Sequence, residues 1–198
     1  MSIKQFKYGS ILTQQNLYTG NHIKDILLEI KPERILEIGT ARGGLTLLMS
    51  DILTKNEMNN SLIKSFDIKQ KDHLKSVKRN NVEFYVGNIF NYSKEILLGE
   101  EPVVNFLSAS GRNLIMCDGG NKVKEVKILS RYMNSGDIIM AHDYAPNKEV
   151  FESEYKDKIW NWMEINDESL QDSMRDFNLK YYNMELIKPS GWVALIKE

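Results

Sequence analysis

The sequence predicts an α/β fold built on a doubly wound, mostly parallel sheet of seven strands that finishes in an antiparallel hairpin. Three observations predict it. Five short apolar runs alternate with helical patterns, which implies right-handed βαβ crossovers. A glycine-bearing turn links the first of these strands to the helix after it, as in Rossmann-like folds. Two strand-like runs at the tail lie too close to be parallel neighbours, because a parallel pair needs a long crossover.

Taken in order, His22 to Ile30 (HIKDILLEI) repeats its apolar residues at helical spacing and Pro32 stops the helix, so residues 1–32 are expected as an N-terminal helical lead-in. Buried strands follow at Arg34 to Ile38 (RILEI), Leu62 to Phe66 (LIKSF), Asn113 to Cys117 (NLIMC) and Asp137 to Ala141 (DIIMA), each apolar, β-rich and closed by a polar or glycine residue. Val82 to Val86 (VEFYV) alternates as a half-exposed edge strand does. Helical patterns occupy Leu45 to Leu53, Lys69 to Lys78 and Lys122 to Met133. The segment 144–176 is long and polar. Phe151, Tyr155, Ile159 and Trp162 would share one face of an amphipathic helix there, packed on the sheet or covering a substrate pocket. Phe177 to Ile187 and Gly191 to Ile196 form the terminal pair, joined by the turn signal Lys188-Pro189-Ser190-Gly191. Neither a repeat nor a linker interrupts the chain, so residues 1–198 are expected as one domain.

The bulk numbers narrow the partners. With 26 basic and 27 acidic side chains the net charge is -1, which gives no general attraction to nucleic acid or anionic membrane. The Lys-rich stretch from Lys64 to Arg79 reads as a solvated face. No apolar run approaches the ~20 residues of a membrane helix, and MSIKQFKYGS lacks the apolar centre of a signal peptide. Cys117 is a single cysteine in an apolar run, expected as a small buried side chain. Together these fit a cytoplasmic protein acting on a small molecule. Assembly into a homo-oligomer stays open.

The sharpest motif is Ile35-Leu36-Glu37-Ile38-Gly39-Thr40-Ala41-Arg42-Gly43-Gly44, a strand feeding a glycine turn that opens a helix. Gly39 and Gly43 let the backbone turn and approach a ligand, and the helix start offers N–H donors to an anion. Glu37, two residues before the first glycine, would repel a pyrophosphate but accept from an ammonium or orient the loop. That favours S-adenosyl-L-methionine (SAM) over a dinucleotide, with Glu37, Gly39, Thr40, Ala41 and Gly43 around the cofactor. Gly39-x-Ala41-x-x-Gly44 still half-matches a dinucleotide fingerprint, and a plain strand-turn-helix corner is the simplest alternative. Asp67, 28 residues beyond Gly39, ends the second strand where a carboxylate accepts from ribose hydroxyls, although a surface acid would look the same. After the third strand, Asn88 and Ile89 would meet the adenine edge and face, or Asn88 is simply a turn residue.

Ligands of open parallel sheets sit beyond the carboxyl ends of the strands. There the sequence places Asp118-Gly119-Gly120-Asn121 and His142-Asp143-Tyr144. Asp118, beside the cofactor, with His142 and Asp143 would suit a hard divalent cation that chelates an acceptor hydroxyl. Alternatively His142 or Asp118 removes the hydroxyl proton as general base, or both aspartates merely cap turns. Only three histidines occur, His22, His73 and His142, which argues against a histidine-rich zinc site.

Across Gly9 to Tyr144 the chain resembles class I SAM-dependent methyltransferases, and within them the cephalosporin hydroxylase and rhamnosyl O-methyltransferase group with related small-molecule O-methyltransferases. The carrying residues are Leu36 to Gly44, Asp118-Gly119-Gly120 with Glu125-Val126, Gly136-Asp137-Ile138-Ile139 leading to His142-Asp143, and a glutamine-bearing lead-in from Gly9 to Gln15. The resemblance implies SAM as methyl donor and a magnesium ion held at Asp118 and Asp143. Three departures stand out: Asn121 where a histidine is common, His142 where some members have an acid, and Asn88 at a place often held by Asp. The expected activity is methyl transfer to a hydroxyl oxygen of a small molecule, a sugar being one candidate. The other readings are an NAD(P)-dependent oxidoreductase and a catalytically silent SAM-binding protein.

Overall fold

The computed structural model describes residues 5–69, 71–99 and 103–198. The chain opens with two antiparallel strands, β1 (Gln5–Tyr8) and β2 (Ile11–Asn16), paired about the two-residue turn Gly9-Ser10. Helix α1 (Thr19–Ile30) follows, ended by Lys31 in a left-handed conformation before Pro32. Then come β3 (Arg34–Ile38), α2 (Gly44–Lys55), β4 (Leu62–Asp67), β5 (Val82–Val86), the small hairpin β6 (Phe90–Asn91) and β7 (Ile96–Leu97), and α3 (Asn105–Ser108). Next are β8 (Asn113–Cys117), α4 (Lys122–Leu129), β9 (Ile138–Ala141), α5 (Lys148–Val150), α6 (Asp167–Asp176), β10 (Leu179–Tyr181), α7 (Met184–Ile187) and β11 (Val193–Lys197).

Seven strands form the central sheet in the order β10-β11-β9-β8-β3-β4-β5. The five strands from β9 to β5 are parallel, and β11 runs antiparallel to both β9 and β10. Side chains alternate across the sheet as the pleat requires. Leu36, Ile38, Ile115 and Cys117 join the core on one face, while Ile35, Ile63, Leu114 and Met116 join the other with Met49 and Trp192. Each fully buried Leu or Ile contributes roughly 1.5–3 kcal/mol. Cys117 is buried and free, as its apolar context implies.

Register positions the functional end. Ile38 pairs with Phe66 on one side and Cys117 on the other, and Cys117 pairs with Ala141. The next residue along each strand is therefore Gly39, Asp67, Asp118 and His142, side by side along the carboxyl edge.

Several expectations need correction. Residues 5–16 of the N-terminal lead-in are a β-hairpin, because Phe6, Tyr8, Ile11 and Thr13 carry a strand alternation around Gly9 (φ +58°). Residues 1–4 of the segment tested for a leader lie outside the described residues, as does Gln70 of the expected helix from Lys69 to Lys78. What forms there is one 3₁₀ stretch, Asp72–Ser76, with Leu74 as its buried residue. The Lys122 to Met133 helix ends at Leu129 and tightens to 3₁₀ through Tyr132. Tyr144 to Asp172 is not one amphipathic helix. Residues 148–155 coil as α5 and a π-helical turn, the chain returns through Trp160 to pair Ile165 with Tyr144, and α6 then starts at Asp167. Phe151 and Tyr155 bury in a small satellite core with Ile159 against it, whereas Trp162 stays 65% exposed. The strand expected over Phe177 to Ile187 shrinks to β10, since Asn178 (φ +53°) and Asn183 (φ +49°) turn the chain at both ends. Its antiparallel partner β11 stands as expected. No helix among the described residues is long and apolar enough to cross a membrane.

Candidate active site

A cavity of about 600 Å³ opens at the carboxyl edge of the sheet, in the size range of small-ligand sites. Glu37, Gly39, Thr40, Ala41, Asp67, Asn88, Ile89, Asp118, His142 and Asp143 all line it. Gly43 does not. It turns the chain into α2 at φ +74°, tucked beneath Leu74.

The loop conformation explains its glycines. Gly39 sits at φ +97°, and a Cβ there would collide with the Asp118 carbonyl, so the β3 and β8 tips approach only because the side chain is absent. The Gly39 N–H donates to Phe66 O at 2.8 Å. Ala41 adopts φ +48° and donates its N–H to Asp67 Oδ2 at 2.8 Å. Lys69 N–H donates to Asp67 Oδ1 at 3.0 Å. Each carboxylate oxygen keeps a second lone pair, and Asp67 lies on the cavity wall. Gly44 packs under Thr13 and Ile11, so β2 lies across the start of α2 and brings Thr13, Gln14 and Gln15 into the wall.

Glu37 is the acidic side chain of the buried strand β3, only 2% exposed. Thr46 Oγ1 and Ser65 Oγ both donate to its Oε2 at 2.5 Å, tying β3 to α2 and β4. Burial pushes its pKa up from 4.5 to about 7. The two hydroxyls hold it down, and the charges of Asp118 and Asp67 add to the rise. Thr40 is also buried, sharing a 2.6 Å hydrogen bond with Ser65. Asn88 accepts from the Phe90 N–H at 2.9 Å and so closes its own turn, with the residue exposed at the cavity mouth.

Asp118 and His142 meet as adjacent strand ends. His142 Nδ1 lies 3.2 Å from Asp118 Oδ1 and 3.3 Å from Asp143 Oδ1. Facing two acceptors, Nδ1 carries the proton. His142 Nε2 is buried with no partner among the described residues, and the ring lies 4.8 Å from the Trp160 ring and 4.9 Å from Trp192. Gln15 Nε2 donates to Asp118 Oδ2 at 2.8 Å, and Trp192 Nε1 donates to Gln15 Oε1 at 2.9 Å. Trp160 Nε1 donates to Asp143 Oδ1 at 2.6 Å. Glu125, fully buried, accepts from the N–H groups of Gly119 and Asn121 and from Tyr92, which fixes the loop after Asp118. Burial raises its pKa against those bonds.

The sequence reading missed Lys122. Its ammonium is buried between Asp143 Oδ2 at 2.8 Å, Glu164 Oε2 at 3.1 Å and the Gly119 carbonyl at 2.9 Å, with Asp118 Oδ1 at 3.8 Å. Burial alone lowers its pKa, but Asp118, Asp143 and Glu164 outweigh that and hold it above the ordinary lysine value. Its position gave no periodic signal, because 118–121 is loop and Lys122 only opens α4. Trp160 and Glu164 gave none, since their segment reads only as composition.

Lys122 decides whether the expected magnesium fits. Asp118, His142 and Asp143 offer ligand atoms within 4.8 Å of one another. Magnesium requires oxygens at about 2.0–2.1 Å, and the ammonium already lies against one of the candidate oxygens. A dication about 4 Å from that ammonium meets a repulsion of roughly 8 kcal/mol at an effective dielectric near 20. The metal does not fit while Lys122 holds its place.

Neither a protein-family model nor the sequence of a curated protein matches the chain. Solved structures match in fold. CmcI with Mg and SAM superposes at a TM-score of 0.68 and 15% identity, over 98% of this chain and 76% of that one. A putative caffeoyl-CoA O-methyltransferase from Staphylococcus aureus gives 0.51 and 16%, over 91% and 83%. MycE methyltransferase of the mycinamycin biosynthetic pathway, with Mg and SAH (S-adenosyl-L-homocysteine), gives 0.52 and 15%, over 92% and 49%. The architecture is thus the Rossmann-like fold of SAM-dependent methyltransferases.

Proposed function

We propose that the chain is a SAM-dependent methyltransferase that acts on a hydroxyl oxygen of a small molecule, a sugar being one candidate. The observation that carries this reading is the single cavity that joins the Glu37–Gly39 loop, the Asp67 carboxylate and the Asp118 cluster. An adenosine ribose would donate to Asp67, the adenine would lie by Asn88 and Ile89, and the methionine part would lie by the Gly39–Ala41 turn. The sulfonium would then face Asp118.

In that pose the acceptor oxygen forms a bond to the methyl carbon as the carbon–sulfur bond breaks, its electron pair going to sulfur to leave SAH. Asp118 takes the hydroxyl proton as the bond forms, because its side chain is 23% exposed and borders the cavity. His142 does not suit that role: Nδ1 faces carboxylates and Nε2 is enclosed. It orients Asp118 instead, while Gln15 holds the second carboxylate oxygen. Much of the rate comes from aligning nucleophile and sulfonium. Magnesium, expected from the resemblance, has no part in this reading because Lys122 holds the position.

Equilibrium dialysis with radiolabelled SAM tests the reading. Saturable binding is expected, and Asp67→Ala should weaken it by about 1.5–3 kcal/mol, roughly 10- to 150-fold, through lost bonds to a charged acceptor. Absence of binding at about millimolar SAM contradicts it.

A further inference from the structure

The Asp118 cluster presents a charge problem that its own chain solves. Asp118, Asp143 and Glu164 converge on a small volume, with side-chain exposures of 23%, 10% and 26%. Three carboxylates so close repel one another, and such sets are normally held by a cation. Resting on the methyltransferase reading, we propose that Lys122 is that cation: its ammonium supplies from within the chain the positive charge a divalent ion would otherwise bring, and the site works without a metal.

Three independent features support the assignment. Lys122 is anchored at both ends, since its backbone N–H donates to Glu164 Oε1 at 2.8 Å while its ammonium contacts Glu164 Oε2 and the Gly119 carbonyl. Swinging the ammonium aside would break its bonds to the Gly119 carbonyl and to Glu164 Oε2 together. Each oxygen of the two aspartates also already has one partner, Asp118 with His142 and Gln15 and Asp143 with Trp160 and Lys122, which leaves Asp118 its second lone pairs for the acceptor proton. Finally, Glu164 reaches the cluster from the far end of the 144–165 excursion, and its N–H donates to the Asp143 carbonyl at 2.9 Å. Lys122 thus pins that excursion, with Trp160, against the cavity. It is a positioning residue that fixes Asp143 and leaves Asp118 facing the acceptor.

The test is a titration of Mn2+, a paramagnetic probe of oxygen-donor sites, followed by electron paramagnetic resonance of the free ion. Wild type should show no binding up to about 1 mM, with SAH present or absent. Lys122→Met should gain a site at least about tenfold tighter, lost again when Asp118→Asn is added. Lys122→Arg, which keeps the charge, should exclude Mn2+ as wild type does. SAH binding in EDTA reports separately that each variant is folded and that the cofactor reading holds. A wild-type Mn2+ site tighter than about 1 mM that disappears in Asp118→Asn would overturn the proposal, and that arm needs no lysine variant. A folded Lys122→Met that gains no Mn2+ site would overturn it as well. Failure of SAH binding would instead count against the methyltransferase reading, leaving the metal result to be read by itself.

Discussion

Both ends of the parallel sheet bury a cation, and they use it differently. At the amino end Arg34 donates from Nε to Asn113 Oδ1 at 2.7 Å and from its two terminal nitrogens to the carbonyls of Ser110, Ala109 and Gly111 at 2.6–2.8 Å. Asn113 passes the link on, donating its side-chain amide to Asp137 Oδ2 at 2.7 Å. Asp137 also takes the backbone N–H groups of Asn113 and Asn134. At the carboxyl end Lys122 is equally buried, but two of its carboxylate partners, Asp118 and Asp143, border a cavity. A cation among carbonyls and amides ties loops to strand starts. A cation among carboxylates beside a cavity offsets their mutual repulsion.

Variants at the amino end should change stability and leave binding alone. Arg34→Met removes the donor from three carbonyls and an amide oxygen. It should cost about 3–5 kcal/mol by chemical denaturation, with the SAM affinity of the folded protein unchanged. A loss below about 1 kcal/mol would show that this network is ornamental to the fold.

Glu37 at the carboxyl end should give a smaller, pH-dependent effect. Its folded-state pKa of about 7 lies above the ordinary 4.5, so the folded chain holds the proton more tightly than the unfolded one. Its contribution is therefore most favourable below about pH 4.5 and is lost as pH rises through about 7, up to roughly 3 kcal/mol in all. In denaturation curves from pH 5 to 8, wild type should lose stability relative to Glu37→Gln as pH rises. Parallel curves would mean that Glu37 ionises in the fold as it does in the free chain.

The two ends also differ in how well the sequence announced them. The parallel strands were legible because RILEI, NLIMC and DIIMA bury both faces, and such strands read as continuous apolar runs. Glu37, Gly39 and Asp67 were legible because they lie on or next to those strands, where register carries them to one edge. Lys122, Trp160 and Glu164 come together through a loop and a helix start, and no periodicity encodes where a loop returns. The β1–β2 hairpin was missed for a related reason. Its strands lie outside the central sheet, and the side chains it buries at the cavity wall, Thr13 and Gln15, are polar residues in a polar run. The shortened β10 shows the limit of apolar runs themselves, since two asparagines at positive φ overrode the strand pattern between them.

The central claim is that the carboxyl-end cavity takes an adenosine bearing an amino acid and not a dinucleotide. Parallel calorimetric titrations of wild type with SAH and with NADH, both in EDTA, test it directly. The account predicts a saturable heat with SAH and none with NADH up to about 1 mM. NADH saturating while SAH gives no heat over the same range would contradict it.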